Sequence, residues 1–150
     1  MRKAMLLAIL ALISTFSFAQ VKQPVKWNFS SKKIDASTYE VHMTATLESG
    51  WHIYSQNTPD GGPVPTSISF TQNPLTNLQG KAKEVGKMEK RHEELFGVDV
   101  MQFSTTVDFV QTVKLKGNVK TNLAGNIEFM TCNDHECLPP TTQAFSIPLK

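Results

Sequence analysis

The sequence predicts an all-β fold: an antiparallel β-sandwich in a single domain. Three observations carry this. Apolar residues recur at every second position in several segments. Turn-forming residues separate those segments at regular spacing. Helical periodicity is scarce. The 150-residue chain is long enough for one domain with a real core.

The first stretch stands apart from that domain. In "MRKAMLLAILALISTFSFAQ", Arg2 and Lys3 form a positive head, an apolar run extends from Ala4 to Ile13, and small Ser17 and Ala19 occupy peptidase-reading positions. The pattern predicts a signal peptide over residues 1–19, cleaved before Gln20, with the domain over residues 20–150. A membrane-spanning helix needs ~20 apolar residues, more than this run supplies. Gln20 rather than a cysteine follows the cleavage point, so no lipid attachment point is expected. No second apolar run follows. The expectation is a periplasmic or secreted protein with no membrane insertion after cleavage. The chain carries 15 basic and 13 acidic residues, and loss of Arg2 and Lys3 leaves 13 of each. A balanced chain has no basic field to gather nucleic acid or anionic lipid.

The strands follow in order. In "YEVHMTATL", Tyr39, Val41, Met43, Ala45 and Leu47 alternate with Glu40, His42, Thr44 and Thr46. In "FSTTVDFVQTVKL", Phe103, Val107, Phe109, Val113 and Leu115 are expected to share one face. In "VKTNLAGNIEF", Val119, Leu123, Ile127 and Phe129 do the same. "TSISF" and "AFSIPL" are shorter strands, and "LKGN" reads as a hairpin turn between two longer ones. "SQNTPDGGPVP", residues 55–65, is a loop by its Pro, Gly, Asn and Asp content. "KAKEVGKMEKRHEELFG", residues 81–97, reads as an edge strand plus loop, with a short helix as the alternative that Gly86 weakens. Trp51 is expected in the core, where a sandwich wants a large aromatic between its sheets.

"MTCNDHECLPP" holds the only two cysteines, Cys132 and Cys137, with four residues between them. Export places them where disulfides persist. Three readings stay open on spacing. As a structural staple, so short a loop contributes only about 2 kcal/mol, against about 5 for a loop of ~100 residues. As a metal clip, Cys132, His135 and Cys137, with Asp134 or Met130 nearby, fall short of four ligands. His42, His52 and His92 would have to complete the site from other strands. As a redox pair, the short loop is made labile by exposure. His135 would favour a thiolate if protonated, while Asp134 and Glu136 oppose it. Pro139 and Pro140 cannot join a ladder and hold the turn at a rim where a partner can reach it.

"CNDHECLPPTTQAFSIPL", with "GWHIYSQ" at 50–56 and "HEELFG" at 92–97, resembles the N-terminal periplasmic domains of DsbD, the thiol:disulfide interchange protein. In that family two cysteines flank a short loop, followed by an apolar residue, two prolines and a last strand. The three motifs occur here in the family's order. The resemblance implies an immunoglobulin-like β-sandwich that relays electrons by thiol–disulfide exchange, of the protein-disulfide reductase type, without a cofactor or bound metal. It implies thioredoxin-like exported proteins as partners and leaves room for a separate membrane thiol reductant. By motif position Cys137 forms the mixed disulfide and Cys132 resolves it. His52 and Tyr54 flank the pair, Glu93 and Glu94 stand at acidic cap positions, and Leu95 or Phe96 covers the sulfurs. The chain departs from the best-known member in three places. Its intercysteine loop is one residue shorter, His52 stands where that member has tyrosine, and Leu95 stands where an aromatic cap is expected.

Overall fold

The structure, a computed structural model, describes residues 22–150, and the signal peptide expected over residues 1–19 lies outside them. Among the described residues there are strands and no helix. They are β1 (Val25–Lys33), β2 (Thr38–Leu47), β3 (His52–Tyr54), β4 (Ser67–Phe70), β5 (Thr76–Gly86), β6 (Glu89–Glu93), β7 (Val98–Phe103), β8 (Thr106–Leu115), β9 (Thr121–Phe129), β10 (Thr131–Cys132) and β11 (Thr141–Leu149). Three antiparallel sheets result, with strand orders β1-β2-β8-β5, β10-β3-β7-β6 and β11-β9-β4.

The alternation read from the sequence is what fills the core. Val41, Met43 and Ala45 of β2 are fully buried, and the register sets Met43 opposite Phe109 and Ala45 opposite Val107 on β8. Leu123, Ile127 and Phe129 of β9 and Phe145, Ile147 and Leu149 of β11 join the same cluster. Trp51, Ile53 and Phe103 bring the second sheet into it. Each Val, Leu, Ile, Phe or Met side chain among them contributes roughly 1.5–3 kcal/mol on burial. Pro148 sits on β11, an edge strand of its sheet, where a missing N–H is tolerated. Gly125 on β9 is required by close approach: a Cβ there would collide with the Ser69 carbonyl oxygen and lie 2.6 Å from Phe145 Cζ.

Residues 81–97 form edge strand and loop: the end of β5, then β6, then a turn. Both strands are edges of their sheets, and the register of β5 on β8 is broken by an irregularity between Gln79 and Lys83. The 55–65 segment is loop, as its composition demands. Two expectations are corrected. Phe103 does not extend β8; it ends β7, with Ser104 and Thr105 between, although it remains buried. "LKGN" is a turn, with Gly117 at φ 94°, but not a hairpin, because β8 and β9 belong to different sheets. Turn chemistry is local, whereas the choice of pairing partner is not. Val119 consequently lies half-buried in that connection, ahead of β9.

Candidate functional site

Cys132 ends β10, a strand of only two residues, in which Thr131 pairs with Ile53 and Cys132 with His52. The chain then turns back on itself. Asn133 N–H donates to the Glu136 carbonyl (2.9 Å), and Leu138 N–H to the Thr131 carbonyl (2.8 Å). Inside the turn, Asn133 Oδ1 accepts from the backbone N–H groups of His135 and Glu136, both at 2.8 Å. This is the Asx-turn habit of asparagine. It brings Cys137 back beside Cys132, and the two are disulfide-bonded, with Cα atoms 4.1 Å apart.

The two sulfurs live in different surroundings. Cys132 is fully buried, in a small cluster with Tyr54 and Val100 that Val98, Met130 and Cys137 pack against. Cys137 is partly exposed, and Pro139 and Pro140 behind it are exposed.

Alternation on β3 explains the neighbours. Ile53 turns into the main core, so His52 and Tyr54 turn to the face that carries Cys132. There they meet Glu93, at the end of β6. The Tyr54 hydroxyl donates to Glu93 Oε2 at 2.7 Å, and His52 Nε2 lies 3.2 Å from that oxygen and 3.1 Å from Tyr54 Oη. His52 is 6% exposed and Glu93 8%, so this polar triad is buried except where it borders a cleft. Burial, opposed by the Glu93 carboxylate, holds the His52 imidazole below its ordinary proton affinity. Burial and then Glu93 push the Tyr54 phenol far above its ordinary range.

The His52 shift has a sign. The unfolded chain binds the His52 proton more readily than the folded one. This residue's contribution to stability is therefore complete above the unfolded value near 6.5 and is lost as pH falls through the folded value. Urea unfolding at pH 7 and pH 5 should show a larger acid loss for the wild type than for His52→Gln. Equal losses would remove His52 as the cause.

A cleft of about 240 Å³ opens beside the triad, lined by His52, Glu93, Glu94, Leu95, Gln102 and the loop residues Asn133 and Asp134 among others. Glu94, Asp134 and His135 are exposed. Leu95 and Phe96, the residues expected to cover the sulfurs, are 51% and 37% exposed. The turn explains this: Phe96 N–H and Gly97 N–H both bond the Glu93 carbonyl, and Gly97 takes a φ of 67° that swings the chain into β7. Leu95 is left at the cleft and Phe96 beside Gly62. Tyr54, Val98, Val100 and Met130 pack around the pair.

Of the histidines considered as distant metal ligands, His52 lies opposite Cys132, while the other two are engaged elsewhere. His42 pairs with Asp108 on β8 at 2.7 Å, and His92 with Asp99 on β7 at 2.9 Å. Among the described residues no group of three His, Cys, Asp or Glu side chains is arranged to hold a metal ion.

Three residues of this region escaped the sequence reading. Asn133 shapes the turn, and its place directly after Cys132 was the available signal. Lys22 bonds Glu136 at 2.7 Å, lowering that carboxyl's proton affinity, and stands 4.7 Å from the centre of the Trp51 ring. Gln102, the register partner of Tyr54, is buried with its side-chain Nε2 unpartnered among the described residues. Nothing in the local sequence marks either of these two.

Comparison with known proteins places this geometry. The family model described as thiol:disulfide interchange protein DsbD, N-terminal, matches residues 18–149. Among solved structures, the N-terminal periplasmic domain of ScsB from Proteus mirabilis is similar, at 17% identity and TM-score 0.52, covering 86% of this chain and 49% of that one. This chain thus spans about half the length of that relative. A chain from the complex between the DsbD N-terminal and PilB N-terminal domains of Neisseria meningitidis matches at 12% identity and TM-score 0.51, covering 85% of this chain and 87% of that one. The yeast GGA1 GAE domain matches at 8% identity and TM-score 0.50, covering 87% and 96%. A search of curated proteins returned no match. At these identities the structural likenesses establish the immunoglobulin-like sandwich fold alone. The family match spans nearly the whole described chain and includes both cysteines, and on it the chain belongs to the DsbD N-terminal family.

Proposed function

We propose that this protein is an exported thiol–disulfide exchange domain that passes electrons through Cys132 and Cys137 to or from thioredoxin-fold partners. Cys137 forms the mixed disulfide and Cys132 resolves it. The observation that carries the reading is the division of the pair: one sulfur fully buried, the other reachable on a proline-held rim. The energetics agree. A bond worth about 2 kcal/mol is matched by a single buried side chain such as Val41 or Phe109. The fold has little use for it as a staple. Residues 1–19 act as a cleaved signal and the mature domain works in the periplasm. Among the described residues, no helix is long and apolar enough to cross a membrane. Leu95, exposed at the cleft opposite Asn133 and Asp134, offers apolar contact to the docked partner, and Glu94 and His135 line its approach.

The competing reading is a binding module whose disulfide is purely structural, a use open to the same fold, which the GGA1 domain shares. The reduction potential separates the two. Equilibration against dithiothreitol or glutathione buffers, with thiol counting, should place the pair between about −120 and −270 mV, the range of known exchange catalysts. A value below about −300 mV would falsify the exchange reading.

A further inference from the structure

Resting on the exchange reading above, we propose that His52 is the proton-holding neighbour of Cys132. It gives a proton to that sulfur when the disulfide opens and takes one back when it closes.

Position comes first. His52 is the register partner of Cys132 across β3 and β10. Directly opposite residues on one face of an antiparallel pair have Cβ atoms about 4.5–5.5 Å apart. Burial comes second. When a partner's thiolate bonds to Cys137 Sγ, the Cys132–Cys137 bond breaks and its electron pair stays on Cys132 Sγ. That sulfur is fully buried beside Tyr54 and Val100, where an unneutralised thiolate is costly. A proton passed on by the His52 ring, which takes it from solvent in the cleft, converts it to a thiol. In the reverse step the imidazole accepts the Cys132 proton as that sulfur attacks the mixed disulfide at Cys137 and expels the partner's thiolate. Atoms and electrons balance in both directions, and the only co-reactants are the partner's thiol or disulfide and the solvent proton that the ring carries.

Wiring and access come third. His52 Nε2 faces Glu93 Oε2 and Tyr54 Oη, and the cleft lets the ring recover its proton from solvent. The charged groups around it come from every neighbouring element. Glu93 on β6 and Asp134 on the cysteine turn favour the imidazolium, while Arg91 on β6 opposes it. His92 and Glu94 stand at the cleft, and Gln102 of β7 is neutral. Tyr54 holds its own proton too tightly to serve. The desolvation that dominates His52 lowers its proton affinity, so at neutral pH the ring stands ready to accept in the closing step, whereas in the opening step the more basic buried thiolate draws a solvent proton through the ring from the cleft.

The test measures ring closure. Reduced protein is mixed with glutathione disulfide between pH 4.5 and 8, quenched with acid, and the Cys137–glutathione adduct is followed by mass spectrometry. The wild type should close about tenfold or more faster across a step lying below pH ~6.5, in keeping with the scale of general base catalysis. His52→Gln keeps a hydrogen-bonding side chain that cannot titrate, and should lose that step. Glu93→Gln should keep the step and move it to lower pH. If His52→Gln retains the step, or Glu93→Gln abolishes it, the proton is not held by His52. If the wild type forms no adduct at any pH, the exchange reading itself fails, which is a different result. Far-UV β signal and thiol counts on both variants separate loss of fold from loss of the step.

Discussion

Cys132→Ser should accumulate a mixed disulfide with a thioredoxin-fold partner, and Cys137→Ser should not. Exchange demands that an outside sulfur approach its target along the bond being broken, so access decides which sulfur is attacked. Cys132 is fully buried, with Tyr54 and Val100 packed on it, whereas Cys137 is partly exposed and leads into exposed Pro139 and Pro140. Serine at position 132 leaves Cys137 free to react but removes the thiol that would release the partner. The adduct should pass from a trace to the main species on non-reducing electrophoresis after mixing with a thioredoxin-fold protein whose second cysteine is replaced by serine and whose first is activated as a mixed disulfide with thionitrobenzoate, the leaving group that Cys137 expels. Trapping only in Cys137→Ser would invert the two roles.

How far the sequence anticipates this site depends on what alternation can report. It marks β2, β8, β9 and β11 because one face of each is buried and the other is not, as with Val41, Met43 and Ala45. It is silent on β5, whose residues are mostly exposed on both faces, and on β1, where Val25, Trp27 and Phe29 are only half-buried. At the site, the cysteines and the motifs around Tyr54 and Glu93 are legible. The burial of His52 is not. Alternation with Trp51 turns His52 away from the main core, and period two cannot say that the opposite face is covered as well. On β3 both faces are buried, one against the main core and one against the cysteine cluster. The exposure of Leu95 and Phe96 is illegible for a related reason. The path of residues 94–97 is set by the Gly97 turn, not by the apolarity of Leu95 and Phe96.

Gly125→Val should be the most damaging single change away from the cysteines. The Cα of Gly125 lies under the β4 backbone and the Phe145 ring: an added Cβ collides with the Ser69 carbonyl, sits 2.6 Å from Phe145 Cζ and 3.1 Å from Phe70 Cα. A carbonyl held in a strand ladder cannot step aside as a flexible side chain can. The expected loss is at or above the top of the ~1–3 kcal/mol range for overpacking, and β4 should detach from β9. For a domain of this size about 3 kcal/mol lowers Tm by roughly 10 °C. Hydrogen exchange should speed first at β4, while the reactivity of Cys137 in the folded fraction stays at the wild-type value. A melting temperature within a degree or two of wild type would show that the sheet yields there at little cost.

The cysteine turn is tied by its own backbone. Asn133 N–H to Glu136, Leu138 N–H to Thr131 and the two bonds into Asn133 Oδ1 all run between groups other than the sulfurs, so none depends directly on the S–S bond. Opening the bond therefore releases little chain, and each thiol stays at a high effective molarity toward the other, as in a well-oriented intramolecular reaction. For an exchanging pair this is a statement about time. The adduct with a partner has a short life, because the competing sulfur never diffuses away. The reorganisation needed to alternate between oxidised and reduced forms stays confined to two side chains, and the sandwich behind them serves as an unchanging mount.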